Sequence, residues 1–232
     1  MIFAIGDLHF DHSKKKPMDI FGPNWIDHEE KIMKYWKDQV GPQDVVLLVG
    51  DISWGLKLKD AVNDLHRIHQ LPGQKIISKG NHDYWWSSLG KMKGLGFHSL
   101  HFLNNNSYTI GDIGICGTRG WAPRDSQEFS QQDEKIYLRE VGRLKLSLDS
   151  VKQKEKIAMI HYPPFNQDFT PNEFSKMLAD YNVRHCIYGH LHGPGHRYVF
   201  NGELLGVKYQ CVASDYVDFK LQKIGEGLWS EK

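Results

Sequence analysis

Five short runs rich in Ile and Val constrain this chain more than any other feature. They are Ile2–Ile5, Val45–Val49, Lys75–Ser78, Ile157–Ile160 and Arg184–Tyr188. Each is too short for a helix and apolar on both alternating sides, the pattern of a strand covered on both faces. Stretches of helical period separate them. Ile32, Met33, Trp36 and Val40 recur on one face after Asp27 and Glu30, which predict a capping pair. Ala61, Val62, Leu65 and Ile68 form a second stripe, stopped by Leu71-Pro72-Gly73. Ile136, Val141, Leu144 and Leu148 mark a third between about Asp133 and Lys152. Strands alternating with helices imply an α/β fold. Two further segments predict hairpins: Ser107–Ile110 with Ile113–Cys116 around Gly111-Asp112, and Val199-Phe200 with Leu204–Val212 around Asn201-Gly202. The sheets should therefore mix parallel and antiparallel strands.

Composition narrows the function classes. No repeat or linker divides the 232 residues, so one domain over residues 1–232 is expected. The charge balance, 29 Lys+Arg against 28 Asp+Glu, gives no support for a polyanion binder, so nucleic acid is not an expected partner. No apolar run is long enough to span a membrane, and Met1–Asp7 does not read as a secretion signal. Cys116, Cys186 and Cys211 are far apart and never in a Cys-x-x-Cys pair. That argues against a disulfide framework or a thiolate zinc site and predicts three small buried hydrophobes in a cytoplasmic protein. Oligomeric state has no signature here. The unusual count is 13 His.

Those histidines concentrate where the apolar runs end. The first run is followed by Gly6-Asp7-Leu8-His9, the second by Gly50-Asp51, and the third, one residue on, by Gly80-Asn81-His82-Asp83. His161 follows the fourth run and Gly189-His190-Leu191-His192 the fifth. In open α/β sheets, loops at the carboxyl ends of strands converge on one place. Two Asp, several His and one Asn there make a nitrogen- and oxygen-donor set without sulfur, suited to Mn, Fe, Zn or Co. About seven donors are too many for one tetrahedral ion and fit two ions sharing a carboxylate, the arrangement that activates water for displacement at phosphorus.

In that order, Asp-x-His, Gly-Asp, Gly-Asn-His-Asp, His and Gly-His-x-His resemble the calcineurin-like metallophosphoesterase superfamily. The motifs run from Asp7 to His192. The resemblance implies a sandwich of two mixed β-sheets flanked by helices, the metallo-dependent phosphatase-like fold. It implies that Asp7, His9 and His192 hold a first divalent transition-metal ion, Mn before Fe, Zn or Co. Asp51 would bridge to a second ion completed by Asn81, His161 and His190. His82 would face the scissile phosphate and assist the leaving group, oriented by Asp83. The implied reaction is hydrolysis of a phosphomonoester or phosphodiester by a metal-activated hydroxide, on a small phosphorylated substrate such as a nucleotide. The same residues would serve a nuclease of this superfamily or a non-catalytic scaffold that keeps the fold. The first is disfavoured by the balanced charge, the second by the completeness of the motifs.

One departure bears on substrate. The phosphoprotein phosphatases of the superfamily carry Asp-Arg after Gly-Asp, whereas this chain reads Ile52-Ser53-Trp54-Gly55. Arg119 or Arg124 is expected to supply the missing phosphate contact. Trp25, Trp54, Trp85, Trp86 and Trp121 lie near the motifs, as core anchors first and stacking platforms second. Lys14-Lys15-Lys16 reads as a solvated loop that would also suit an anionic substrate.

Overall fold

In β1 (Ile2–Ile5) and β2 (Val45–Val49) successive side chains alternate between two buried layers. Ile2, Ala4, Leu47 and Val49 face one way, and Phe3, Ile5, Val46 and Leu48 the other. This is a computed structural model describing residues 1–225. One sheet orders β11 (Gln222–Ile224), β1, β2, β3 (Gln74–Ser78) and β4 (Leu100–Phe102), with β11 antiparallel and the rest parallel. The second orders β5 (Tyr108–Ile110), β6 (Ile113–Thr118), β7 (Glu155–Ile160), β8 (His185–Tyr188), β10 (Val207–Cys211) and β9 (Gly202–Leu204). Its two outermost pairs are antiparallel and its inner pairs parallel. Both sheets are mixed.

Three apolar layers follow from that alternation. Ile2, Ala4, Leu47 and Val49 meet Ile115, Ile157, Met159 and Ile187 between the sheets. The outer face of the first sheet is covered by α1 (His28–Gln39) and α2 (Leu58–Gln70) through Ile32, Trp36, Ala61, Leu65 and Ile68. The outer face of the second is covered by α4 (Gln131–Asp149) and α5 (Glu173–Asp180) through Tyr137, Leu144, Leu148, Phe174 and Leu178. A single-turn helix, α3 (Leu89–Lys93), precedes β4. Cys116, Cys186 and Cys211 are free and buried. Among the described residues no helix is long and apolar enough to cross a membrane.

Two local expectations are corrected. Asp27 does not cap α1: it sits in the left-handed region (φ 54°) with no side-chain cap bond. An N-cap oxygen reaches the first helical N–H groups from extended backbone, which that φ denies. Its neighbour Glu29 instead accepts the Asp11 N–H at 2.8 Å. The second hairpin turns at Leu205-Gly206, both with positive φ (54° and 77°), and not at Asn201-Gly202. Two consecutive left-handed residues suit a tight hairpin turn. Asn201 serves β10 differently, its Oδ1 accepting the Cys211 N–H at 2.8 Å. The Ser107–Cys116 hairpin forms as expected around Gly111-Asp112.

His185, which opens β8, carries a pH dependence. It is 2 % exposed, and its Nε2 has no hydrogen-bond partner. Burial first, then the Lys208 charge, push its pKa down to about 4, with Gln210 opposing. The unfolded chain therefore takes up a proton below about 6.5 that the folded chain refuses until about 4. Stability is complete above the upper value and falls as pH drops through that window. His185→Phe should flatten this part of the profile. Between pH 7 and 4.5 the wild type should lose about 2 kcal/mol more than the variant, read from urea midpoints.

Candidate metal centre

The strand ends converge because their loops stay hydrogen-bonded beyond the strands. Asp7 N donates to Gly50 O (2.9 Å), His9 N to Asp51 O (2.9 Å) and Phe10 N to Ile52 O (3.0 Å). Gly6 N donates to Val212 O (2.7 Å) and Ser214 Oγ to Gly6 O (2.6 Å), joining β1 to the end of β10 in the other sheet. His190 N lies 3.1 Å from both Asp7 carboxylate oxygens. Asp7, His9, Asp51 and His190 all have positive φ (58°, 47°, 52° and 72°). Such backbone costs about 1–3 kcal/mol per residue and collects where a site is over-determined by its surroundings. Gly80 belongs to the same geometry. A Cβ there would lie 2.2 Å from Asp51 N and 2.0 Å from Asp51 Oδ1, so the loops after β2 and β3 pack backbone to backbone only with glycine.

All seven sequence-nominated donors meet. Ligand atoms of Asp7, His9 and His192 lie within 4.8 Å of one another, as do those of Asp7, Asp51 and His161. Asp51 Oδ2 stands 3.8 Å from His9 Nε2 and 3.5 Å from His161 Nε2, between the two halves. Asn81 Oδ1 is 2.7 Å from His161 Nε2 and 3.0 Å from His190 Nδ1. Asp7, Asp51 and His161 are almost wholly buried.

The electrostatics call for cations. Burial pushes the Asp51 carboxyl up to about 7; His161 opposes this, while Asp83 and Asp7 add to it. Burial and neighbouring histidines hold His9 and His190 well below the ordinary imidazole value, so both are neutral donors. Burial works against a charge on His192, but Asp7 and Asp215 overcome it and raise that ring to about 10. His192 Nε2, 3.3 Å from Asp7 Oδ1, is buried without a hydrogen-bond partner. His161 lies with Nδ1 3.0 Å from Val49 O. Its Nε2 and the His190 Nδ1 both reach the Asn81 amide oxygen, at 2.7 and 3.0 Å, so the three candidate donor atoms converge on one point. Two buried carboxylates, four imidazoles and an amide oxygen arranged this way fit divalent transition metals.

His82 sits at the rim. Its backbone N–H donates to Asp51 Oδ1 at 2.8 Å, and its ring is 4.6 Å from Trp54 and 5.8 Å from His9. Its Nδ1 is buried without a protein partner, and burial lowers its pKa. Asp83 has a different task from orienting His82. Its carboxylate accepts N–H groups from Gly80 (2.8 Å), Asp51 (2.9 Å), Ile52 (2.8 Å) and the Trp85 indole (2.9 Å). It therefore holds the loops that carry Asp51 and Asn81. Both nominated arginines are committed to carboxylates. Arg119 pairs with buried Glu140 (3.2 Å) and stacks on Trp121, and Arg124 pairs with Glu134 (2.6 Å) and Glu173. A cation near His82 is instead Lys16, whose charge helps lower that ring and whose Nζ lies 5.9 Å over Trp54. Of the tryptophans, Trp54 stacks on His9 (4.9 Å) and Trp25 sets its edge against His192 (5.4 Å), while Trp121 donates to Asp133.

Asp215 was not nominated from the sequence. Its Oδ1 lies 2.7 Å from His192 Nδ1 as acceptor of that ring N–H, and its Oδ2 accepts Gly193 N–H at 3.1 Å. It follows Val212-Ala213 after β10, a sixth strand end of the kind that marked the others. A carboxylate behind a ligating imidazole fixes its tautomer and raises its basicity. Asp215→Ala should weaken metal binding about 10–100-fold, read by competition with a metallochromic chelator, while the fold persists.

Comparisons with known proteins accord with this geometry. A sequence profile of the calcineurin-like phosphoesterases matches residues 1–194. The gene 66 protein of Mycobacterium phage D29 is 36 % identical over 83 residues, 35 % of this chain and 40 % of that protein. The chain thus matches about two fifths of the length of that curated relative. Two solved structures share the fold. One is the phosphopantetheinyl hydrolase PptH from Mycobacterium tuberculosis, with TM-score 0.60 and 13 % identity, covering 100 % of this chain and 98 % of that one. The other is TT1561 of Thermus thermophilus, with TM-score 0.56 and 16 % identity, covering 95 % and 96 %.

Proposed function

We propose, from the premise that this chain belongs to the calcineurin-like phosphoesterase family, that it hydrolyses a small phosphoester using two divalent metal ions, Mn²⁺ foremost. The observation that carries this is the burial of Asp51 between His9 and His161, at 3.8 and 3.5 Å, where one carboxylate serves both halves of the donor set. Asp7, His9, Asp51 and His192 would hold one ion, and Asp51, Asn81, His161 and His190 the other. When bound, the ions supply water activation and neutralise charge developing on phosphorus.

The chain's own groups do the rest. His82, held by its backbone bond to Asp51 and packed on Trp54, faces the leaving oxygen and stabilises its developing charge through a ring N–H hydrogen bond. Lys16, at the same rim, offsets phosphate charge in place of the arginine missing after Asp51. Arg119 and Arg124 keep their carboxylate partners, and the centre operates in the cytoplasm.

Hydrolysis of a nitrophenyl phosphodiester and its monoester tests this. Chelation should abolish turnover and Mn²⁺ should restore it, and the diester-to-monoester ratio sets the branch. Turnover that survives exhaustive chelation would overturn the proposal.

A further inference from the structure

Beside the donor cluster lies a cavity of about 300 Å³ that shares His190 with it. Three loops at the carboxyl ends of β6, β7 and β8 build it. Its walls are apolar and aromatic: Pro123, Tyr162, Phe165, Leu191 and Tyr198. The Tyr162 ring packs against the His190 ring, with centroids 3.9 Å apart and planes tilted by 36°, so aromatic surface continues from the candidate metal ligand into the cavity. Ser126, Asn166 and Gln167 add neutral polar atoms, and among the described residues Glu128 is the one acidic side chain of the lining. Among the described residues no lysine or arginine lines it. The loop is preformed: Asn166 N donates to Thr170 O (3.0 Å), Phe169 N to Asn166 O (2.9 Å) and Gln167 N to Asp125 Oδ2 (2.8 Å).

We infer that this cavity receives the organic part of the phosphoester, a flat uncharged ring of nucleobase or substituted-aryl size. The inference rests on the phosphoesterase proposal and names the substrate class. Cavities that bind small molecules run from about 300 to 1,000 Å³ and combine apolar walls with a few polar groups. This one is at the lower end, room for one ring system and not for a polymer. Its single carboxylate and absent cations disfavour a second phosphate. Charge lies at the Lys16 rim, so the substrate is bound with its phosphate toward His82 and its ring against Tyr162.

The test is binding of the ring without the phosphate. Adenosine and benzyl alcohol, as base and aryl probes, are titrated into the full chain and followed by saturation-transfer NMR, with ribose as control. Transfer to the ring protons of at least one probe is expected, and the stronger probe identifies the ring type. Ser126→Trp, which fills the cavity, should raise that Kd at least about tenfold, a loss of about 1.4 kcal/mol. Tyr198→Ala should weaken it too, which guards against misfolding of the first variant, and Mn²⁺ binding should be unchanged in both. Absence of transfer from both probes, or equal binding by the wild type and both variants, overturns the inference. Nitrophenyl ester hydrolysis on the same samples separates the two claims: ring binding with no metal-dependent hydrolysis contradicts the phosphoesterase proposal alone, and hydrolysis with no ring binding contradicts this inference alone.

Discussion

Asp83→Ala should cost about 4 kcal/mol or more of stability and take hydrolysis with it. Asp83 is fully buried, and its carboxylate accepts four N–H groups at 2.8–2.9 Å, from Gly80, Asp51, Ile52 and Trp85. Truncation to Ala leaves all four donors buried without an acceptor, at about 1–3 kcal/mol each before relaxation. That sum rivals the whole stability of an ordinary domain, about 5–15 kcal/mol. Asp83→Asn keeps the shape and one acceptor but turns an amide N–H toward other N–H groups, so it should lose roughly half as much. Urea unfolding followed by tryptophan fluorescence reads both. A loss below about 1 kcal/mol for Asp83→Ala would mean that the carboxylate is not the tie between the two loops.

Asp51→Asn should behave in the opposite way: an inactive protein that folds at least as well without metal. Burial and the carboxylates of Asp83 and Asp7 drive the Asp51 carboxyl up to about 7 against the opposing His161. Without metal, at pH 8, a charge there is a burden on the fold, and a neutral amide relieves it. Hydrolysis should nevertheless fall by about 10³-fold or more, as when a pre-aimed electrostatic group is removed from a dry site. Stability gained where activity is lost is the usual mark of residues kept for chemistry. A variant markedly less stable than the metal-free wild type would make Asp51 a structural residue first.

The sandwich was legible, and the candidate donors could be nominated, because both rest on local signals. Strands covered on both faces write themselves as Ile/Val runs, and a site at strand ends places its ligands directly after them. What escaped depends on tertiary contact. Asp83 stands beside His82 in sequence, yet its carboxylate turns to the backbone of the loop after β2, a bond between residues 32 apart. Arg119 and Arg124 read as free cations until α4 and α5 supply Glu140, Glu134 and Glu173. Asp215 reaches His192 because β10 lies beside β8 in parallel, a pairing that the hairpin pattern around Asn201 did not suggest. Asp27 shows a limit of the opposite kind: the right residue type for a cap, placed on backbone that cannot use it.

Metal stoichiometry tests the central claim most directly. Metal-free protein is titrated with Mn²⁺ by calorimetry, and bound metal is counted after dialysis, for the wild type and Asp51→Ala. A carboxylate shared by both halves of the site predicts two ions per wild-type chain. It predicts one or none in the variant, with hydrolysis of the nitrophenyl phosphodiester lost in parallel. Two ions still held by Asp51→Ala, or a wild type that saturates with one ion while fully active, would contradict it.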